Sequence, residues 1–126
     1  MQMILAIDFD GTIVADEFPH IGEMRAGAKE AINKLHDEGY YIIIWTCRTH
    51  ARMQEAKQWL ADEGIRYDKI NESCPANVEV YSGIDTRKVF ANLYIEDRSI
   101  HPLPPWHDIY NKIHELLPTH TDAGFP

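Results

Sequence analysis

Two carboxylates, Asp8 and Asp10, stand two positions apart and are followed at once by Gly11 and Thr12. A second acidic pair, Glu96-Asp97, closes the short apolar run Leu93-Tyr94-Ile95. Between the two pairs lie Thr46, Arg48, Arg87 and Lys88. Four carboxylates gathered in one place would repel, and some would stay protonated at neutral pH. A hard divalent cation resolves that repulsion, and an oxygen-only donor set favours Mg²⁺ over zinc. Mg²⁺ takes one or two carboxylates and leaves other positions to water and a substrate phosphate. Phosphoryl transfer follows from such a set. Asp8 is the expected nucleophile, forming an aspartyl phosphate. Asp10 is the expected acid, protonating the leaving oxygen and later activating water. Thr46 offers a hydroxyl to a phosphoryl oxygen, and Lys88 or Arg87 offers positive charge against the charge that develops. Arg48 reads either as a substrate-phosphate ligand or as a surface residue.

These residues need elements to bring them together. Ile4 to Ile7 is a short apolar run that reads as a strand buried on both faces, with Asp8 at its end. Tyr40 to Trp45 is β-branched and aromatic without alternation, a second buried strand ending at Thr46. Ile65 to Ile70 is a weaker third strand, Val78 to Tyr81 a short edge strand, and Leu93 to Ile95 a strand stopping at Glu96-Asp97. Helices are expected over Met24 to Glu38 (apolar at Ala28, Ala31, Ile32 and Leu35), over Ala51 to Glu63 (apolar at Met53, Ala56, Trp59 and Leu60) and over Trp106 to Leu117 (apolar at Ile109, Ile113, Leu116 and Leu117). Gly39 and Gly64 sit where left-handed helix caps belong. Ile84 to Asn92 reads as a further helix carrying Arg87 and Lys88, and residues 13–23 as a loop or small hairpin. Strands alternating with helices predict an α/β fold: a parallel sheet of about five strands with right-handed crossovers and helices on both faces. The polar ends of three strands then share one sheet edge, where open α/β sheets bind ligands.

The chain has 126 residues, enough for one domain, taken as 1–117, with 118–126 read as a frayed tail. A net charge of −8 and a pI of about 5.2 argue against non-specific binding to nucleic-acid backbones or anionic membranes. The centre, from Tyr40 to Asp97, is closer to neutral and can accept an anion. No apolar run approaches the roughly 20 residues of a membrane span, and no signal segment opens the chain, so a cytoplasmic setting is expected. Cys47 and Cys74 form no metal-binding pair, and neither begins the Cys-x5-Arg pattern of thiol phosphatases, since position 53 is Met and position 80 is Val. Both read as packing residues, as do Trp45, Trp59 and Trp106.

Asp8-Phe9-Asp10-Gly11-Thr12 resembles the first motif, DxDxT, of the haloacid dehalogenase superfamily. Ile43 to Thr46 resembles its second motif, a strand ending in Thr or Ser. Lys88 resembles the basic third motif, and Tyr94-Ile95-Glu96-Asp97 the acidic fourth. The resemblance covers roughly residues 4–98. It implies a Rossmann-like sheet and Mg²⁺-dependent hydrolysis of phosphomonoesters. It also implies that the metal touches the Asp8 side chain, the Asp10 backbone carbonyl and Asp97, with Glu96 behind Asp97 or reaching the metal through water. Gly11, Thr46, Arg48 and Lys88 are then the expected substrate contacts. The second acid, Asp10, favours the phosphatase branch over the dehalogenases. With about a dozen residues after Thr12, and 41 between Thr46 and Lys88 that the core largely consumes, no large cap fits. An open site suits a large substrate, or one closed over by a second copy of the chain; the expected partner is a phosphorylated small molecule or an exposed phosphate on a macromolecule.

The competing expectation is a phosphoacceptor or metal-binding regulatory domain without hydrolytic turnover. A receiver domain phosphorylates an Asp on a middle strand. Here the middle strand ends in Thr46, which favours the hydrolase.

Overall fold

The computed structural model describes residues 2–119, so the expected tail lies almost wholly outside the described residues. β1 (Ile4–Asp8) is central. It is followed by a hairpin of β2 (Val14–Glu17) and β3 (His20–Met24), then α1 (Ala28–Asp37), β4 (Tyr41–Trp45), α2 (His50–Glu63), β5 (Lys69–Ile70), α3 (Pro75–Val80), β6 (Leu93–Ile95) and α4 (Trp106–Leu116). The main sheet is parallel in the order β5-β4-β1-β6, and the hairpin is a separate two-stranded sheet.

The pairing register explains the burial of both sheet faces. Leu5 and Ile7 lie beside Ile42 and Ile44, and beside Leu93 and Ile95 on the other flank. That face packs on Ile32 and Leu35 of α1, Ala56 and Leu60 of α2, and Trp106, Ile109 and Ile113 of α4. The opposite face, with Ile4, Ala6 and Ile43, packs on Cys74, Val89 and Ala91. Two successive right-handed crossovers step the same way from β1, so α1 and α2 share a face. The return from β5 across to β6 must cover the other face. Cys74, just before α3, and Val89 and Ala91 of the irregular segment after it do so.

Four local expectations give way to tertiary context. The sheet has four parallel strands, because Val78 to Val80 ends a helix instead of forming an edge strand. Pro75, with its fixed φ and no N–H to lose, starts that helix, and the amides of Asn77 and Val78 return to the Cys74 carbonyl. Ile84 to Asn92 is not helical. Val89 and Ala91 bury against the sheet, and Asn92 clamps Ile4 by donating its amide to the Ile4 carbonyl and accepting the Ile4 amide on Oδ1, each at 2.7 Å. The first helix starts at Ala28, since Met24 pairs with Val14 in the hairpin and the Arg25 amide donates to the Ile13 carbonyl. Leu116 faces solvent, 51% exposed, while Ile109 and Ile113 point inward.

Candidate active site

Asp8 ends β1 with its side chain on the same face as Trp45, its register partner on β4. The chain then turns sharply. The amides of Thr12, Ile13 and Val14 all return to the Phe9 carbonyl, and Gly11 donates its own amide to the Val14 carbonyl at 2.7 Å. Gly11 has φ of +86°, and a Cβ there would lie 2.2 Å from Asp97 Oδ2. Glycine is therefore required twice, by the turn and by the carboxylate seated over it. The Gly11 amide is committed to the turn, and its missing side chain makes room for Asp97.

Thr12 is fully buried and joins the two acidic segments. Its hydroxyl donates to Asp8 Oδ2 at 3.3 Å and accepts the Asp97 amide at 3.1 Å, while its carbonyl accepts Trp106 Nε1 at 2.9 Å. Asp97 Oδ1 is buried without a hydrogen-bond partner among the described residues. Burial, the hydrogen bond with Asp97 and the charge of Asp97 push the Asp8 carboxyl from 3.8 up to about 7, with a smaller push from Glu96 and an opposing pull from the Phe9 amide. Two facing carboxyls and an unsatisfied buried oxygen are costly unless positive charge compensates them. The donors are all oxygen, so the site fits Mg²⁺.

The four expected acids do not converge as one cage. No three His, Cys, Asp or Glu side chains among the described residues are placed to hold a metal together. Asp10 is drawn aside, its two oxygens accepting Arg48 Nε and Nη2, both at 2.8 Å. Its side chain is thus engaged elsewhere, leaving its backbone carbonyl as the group it can offer a metal. Glu96 lines a cavity of about 420 Å³ above the acids, together with Asp8, Asp10 and Thr46. Asp97 lies behind, against Gly11.

Thr46 is fixed at the end of β4 by Asn71, whose side chain accepts the Thr46 amide at 2.9 Å and donates to its carbonyl at 2.8 Å. The Thr46 hydroxyl oxygen accepts the Arg48 amide at 3.1 Å, so its hydrogen can serve another acceptor. Arg48 is neither a surface residue nor a cavity wall: its side chain is 0% exposed. Lys88 lies in the irregular segment with Nζ 5.0 Å from the centroid of the Tyr94 ring, outside the cavity lining. Among the described residues the cation that lines the cavity is Arg98, paired at 3.4 Å with Asp16 of the hairpin.

Sequence reasoning passed over several walls of this cavity. Phe18 and Asp16 come from the hairpin, and Trp45 and Cys47 flank Thr46. Trp45 is half-buried and packs on the sheet core, as expected, while also lining the cavity; Cys47 is exposed and is not the packing residue expected, whereas Trp59, Trp106 and Cys74 are. A usable signal existed for Trp45 and Cys47, since both adjoin the polar strand end at Thr46. None existed for Phe18, whose place depends on how the hairpin folds back.

A family model described as haloacid dehalogenase-like hydrolase matches residues 5–67. A solved structure, a conserved protein from Bacteroides thetaiotaomicron, is 34% identical, covers 100% of both chains and superposes with a TM-score of 0.82. No curated protein matches the chain. No helix among the described residues is long and apolar enough to cross a membrane.

Proposed function

The chain belongs to the haloacid dehalogenase-like hydrolases, and from that premise we propose that it hydrolyses phosphomonoesters with Mg²⁺ through an aspartyl phosphate on Asp8. The observation that carries the reading is the pairing of Asp8 with Asp97, whose second oxygen is buried and unsatisfied, over a glycine that leaves it room. Asp8, Asp97 and the Asp10 carbonyl would hold the metal, with Glu96 acting from the cavity wall. When bound, the cation neutralises the acids and the phosphoryl charge, supplying Lewis-acid stabilisation.

The chain's own residues carry the steps. An Asp8 oxygen attacks phosphorus as the bond to the leaving oxygen breaks, and Asp10 gives that oxygen its proton. A water then attacks the aspartyl phosphate and passes its proton to Asp10. The acyl phosphate bond breaks, Asp8 is restored and inorganic phosphate departs. Thr46 donates its hydroxyl hydrogen to a phosphoryl oxygen, held in place by Asn71. Arg98, at the cavity, meets an anionic substrate; Lys88 reaches it only by leaving the Tyr94 ring.

A panel of phosphomonoesters with Mg²⁺ tests this. Wild type is expected to turn over a subset, and Asp8→Asn none. Equal hydrolysis of every ester by the two proteins would sink the mechanism. In a Mg²⁺ titration, Asp97→Asn is expected to raise the half-saturating concentration more than Glu96→Gln, and the reverse ranking would exchange their roles.

A further inference from the structure

We infer that Arg48 is a positioning residue that orients the Asp10 carboxylate and ties it to the β2–β3 hairpin, so that acid/base chemistry and closure of the hairpin over the cavity depend on one side chain. The inference rests on the reading of Asp10 as acid/base given above. It goes beyond the resemblance, from which Arg48 was expected only as a substrate contact.

The geometry is specific. Arg48 spends two donors on Asp10, as described. It spends two more on the hairpin turn: Nη1 donates to the Pro19 carbonyl at 3.2 Å, and Nη2 to the His20 carbonyl at 3.0 Å. Its guanidinium lies 5.4 Å from the centroid of the Phe9 ring and 5.1 Å from that of Phe18. Phe9 belongs to the acidic turn, and Phe18 is a cavity wall on the hairpin. One planar cation thus joins the acid, the turn that carries it and the tip that covers the cavity.

Stability is a weak explanation for this arrangement. Desolvating a charge pair costs about as much as the pair returns. What the fork adds is direction, since a guanidinium holds both carboxylate oxygens at once while an ammonium cannot. Asp10 keeps its side chain at the cavity, 16% exposed, while Arg48 holds both its oxygens. Any displacement of the hairpin pulls on Arg48 through two carbonyls and a ring, and through it on Asp10.

The test is a double-mutant cycle of Arg48→Lys and Asp10→Asn, read across aryl phosphates of increasing leaving-group pKa. A misplaced general acid matters most where the leaving oxygen most needs a proton. For Arg48→Lys, kcat/KM is therefore expected to fall only a few-fold on the best leaving group and about 100-fold on the poorest. Adding it to Asp10→Asn should cost little more. A deficit that is uniform across leaving groups and additive with Asp10→Asn would show a merely structural role and overturn the inference. Hydrogen exchange over residues 14–24 needs no turnover, and faster exchange is expected in Arg48→Lys. Unchanged exchange overturns the tie between Arg48 and the hairpin. If wild type and Asp8→Asn hydrolyse all esters alike, the phosphatase reading fails by itself, and the exchange measurement still decides that tie.

Discussion

Asp8 carries opposed demands in a single side chain, buried yet set beside a second carboxylate. It is pushed from 3.8 up to about 7 by burial first, then by its hydrogen bond with Asp97 and by the charge of Asp97. A carboxyl raised in this way holds its proton more tightly in the folded chain than in the unfolded one. The metal-free protein should therefore lose stability as pH climbs from about 4 to about 7, with no further loss from this group above that. Melting curves taken with a chelator across this range should show the decline in wild type and a weaker one in Asp8→Asn. Parallel profiles would mean that Asp8 is not the group responsible. The opposite sign is expected with saturating Mg²⁺, which binds only the ionised carboxylates of the folded chain. Thr12 shows the same economy at this scale, since one buried hydroxyl both donates to Asp8 and accepts from Asp97.

Helix α4 lies outside the motif series yet buttresses the site from behind. Its first residue, Trp106, is 1% exposed and donates Nε1 to the Thr12 carbonyl at 2.9 Å, within the turn that carries Asp10 and Gly11. Pro102, Pro104 and Pro105 bring the chain to that point without regular structure. Trp106→Phe keeps most of the apolar burial but strips the donor, leaving the carbonyl with only a 3.4 Å contact to Arg25. A loss of roughly 1–3 kcal/mol is expected in a denaturant titration. A reduced kcat at temperatures where the variant is folded should accompany it, because the acidic turn is then less well held. A variant as stable and as active as wild type would show that α4 contributes packing alone.

On the scale of the whole molecule, a net charge of −8 surrounds a site proposed to accept a phosphate dianion. Repulsion at long range is screened over about 10 Å at 0.1 M salt. With Mg²⁺ kept saturating, kcat/KM for a small phosphomonoester should rise as monovalent salt increases from about 10 to about 100 mM. A fall over that range in steady-state assays would mean that the local field of Arg98 outweighs the global charge. The cavity of about 420 Å³ and the absence of a large cap put the hairpin in the covering role. The rim pair Arg98 to Asp16 and the buried Arg48 hold that hairpin at two depths.

Much of this was legible in the residues. The runs Ile4 to Asp8 and Tyr41 to Trp45 are apolar on both faces, and only a central parallel strand satisfies that. The acids, the glycine and the threonine at the strand ends suggest the phosphoryl-transfer site proposed above because their chemistry is local to each residue. Tertiary structure alone decided which partner each of them takes. Arg48 looked equally fit for substrate or solvent, yet became a buried fork because the hairpin turned its carbonyls toward it. Gly11, read from the sequence only as a substrate contact, also makes space for Asp97, 86 positions away in the chain. Ile84 to Asn92 had a pattern compatible with a helix, but burying Val89 and Ala91 on the open sheet face outweighed local preference. Strand ends and periodicity are properties of neighbours in sequence. Ion pairs, cavity walls and orphaned oxygens arise between residues that only the completed sheet brings together.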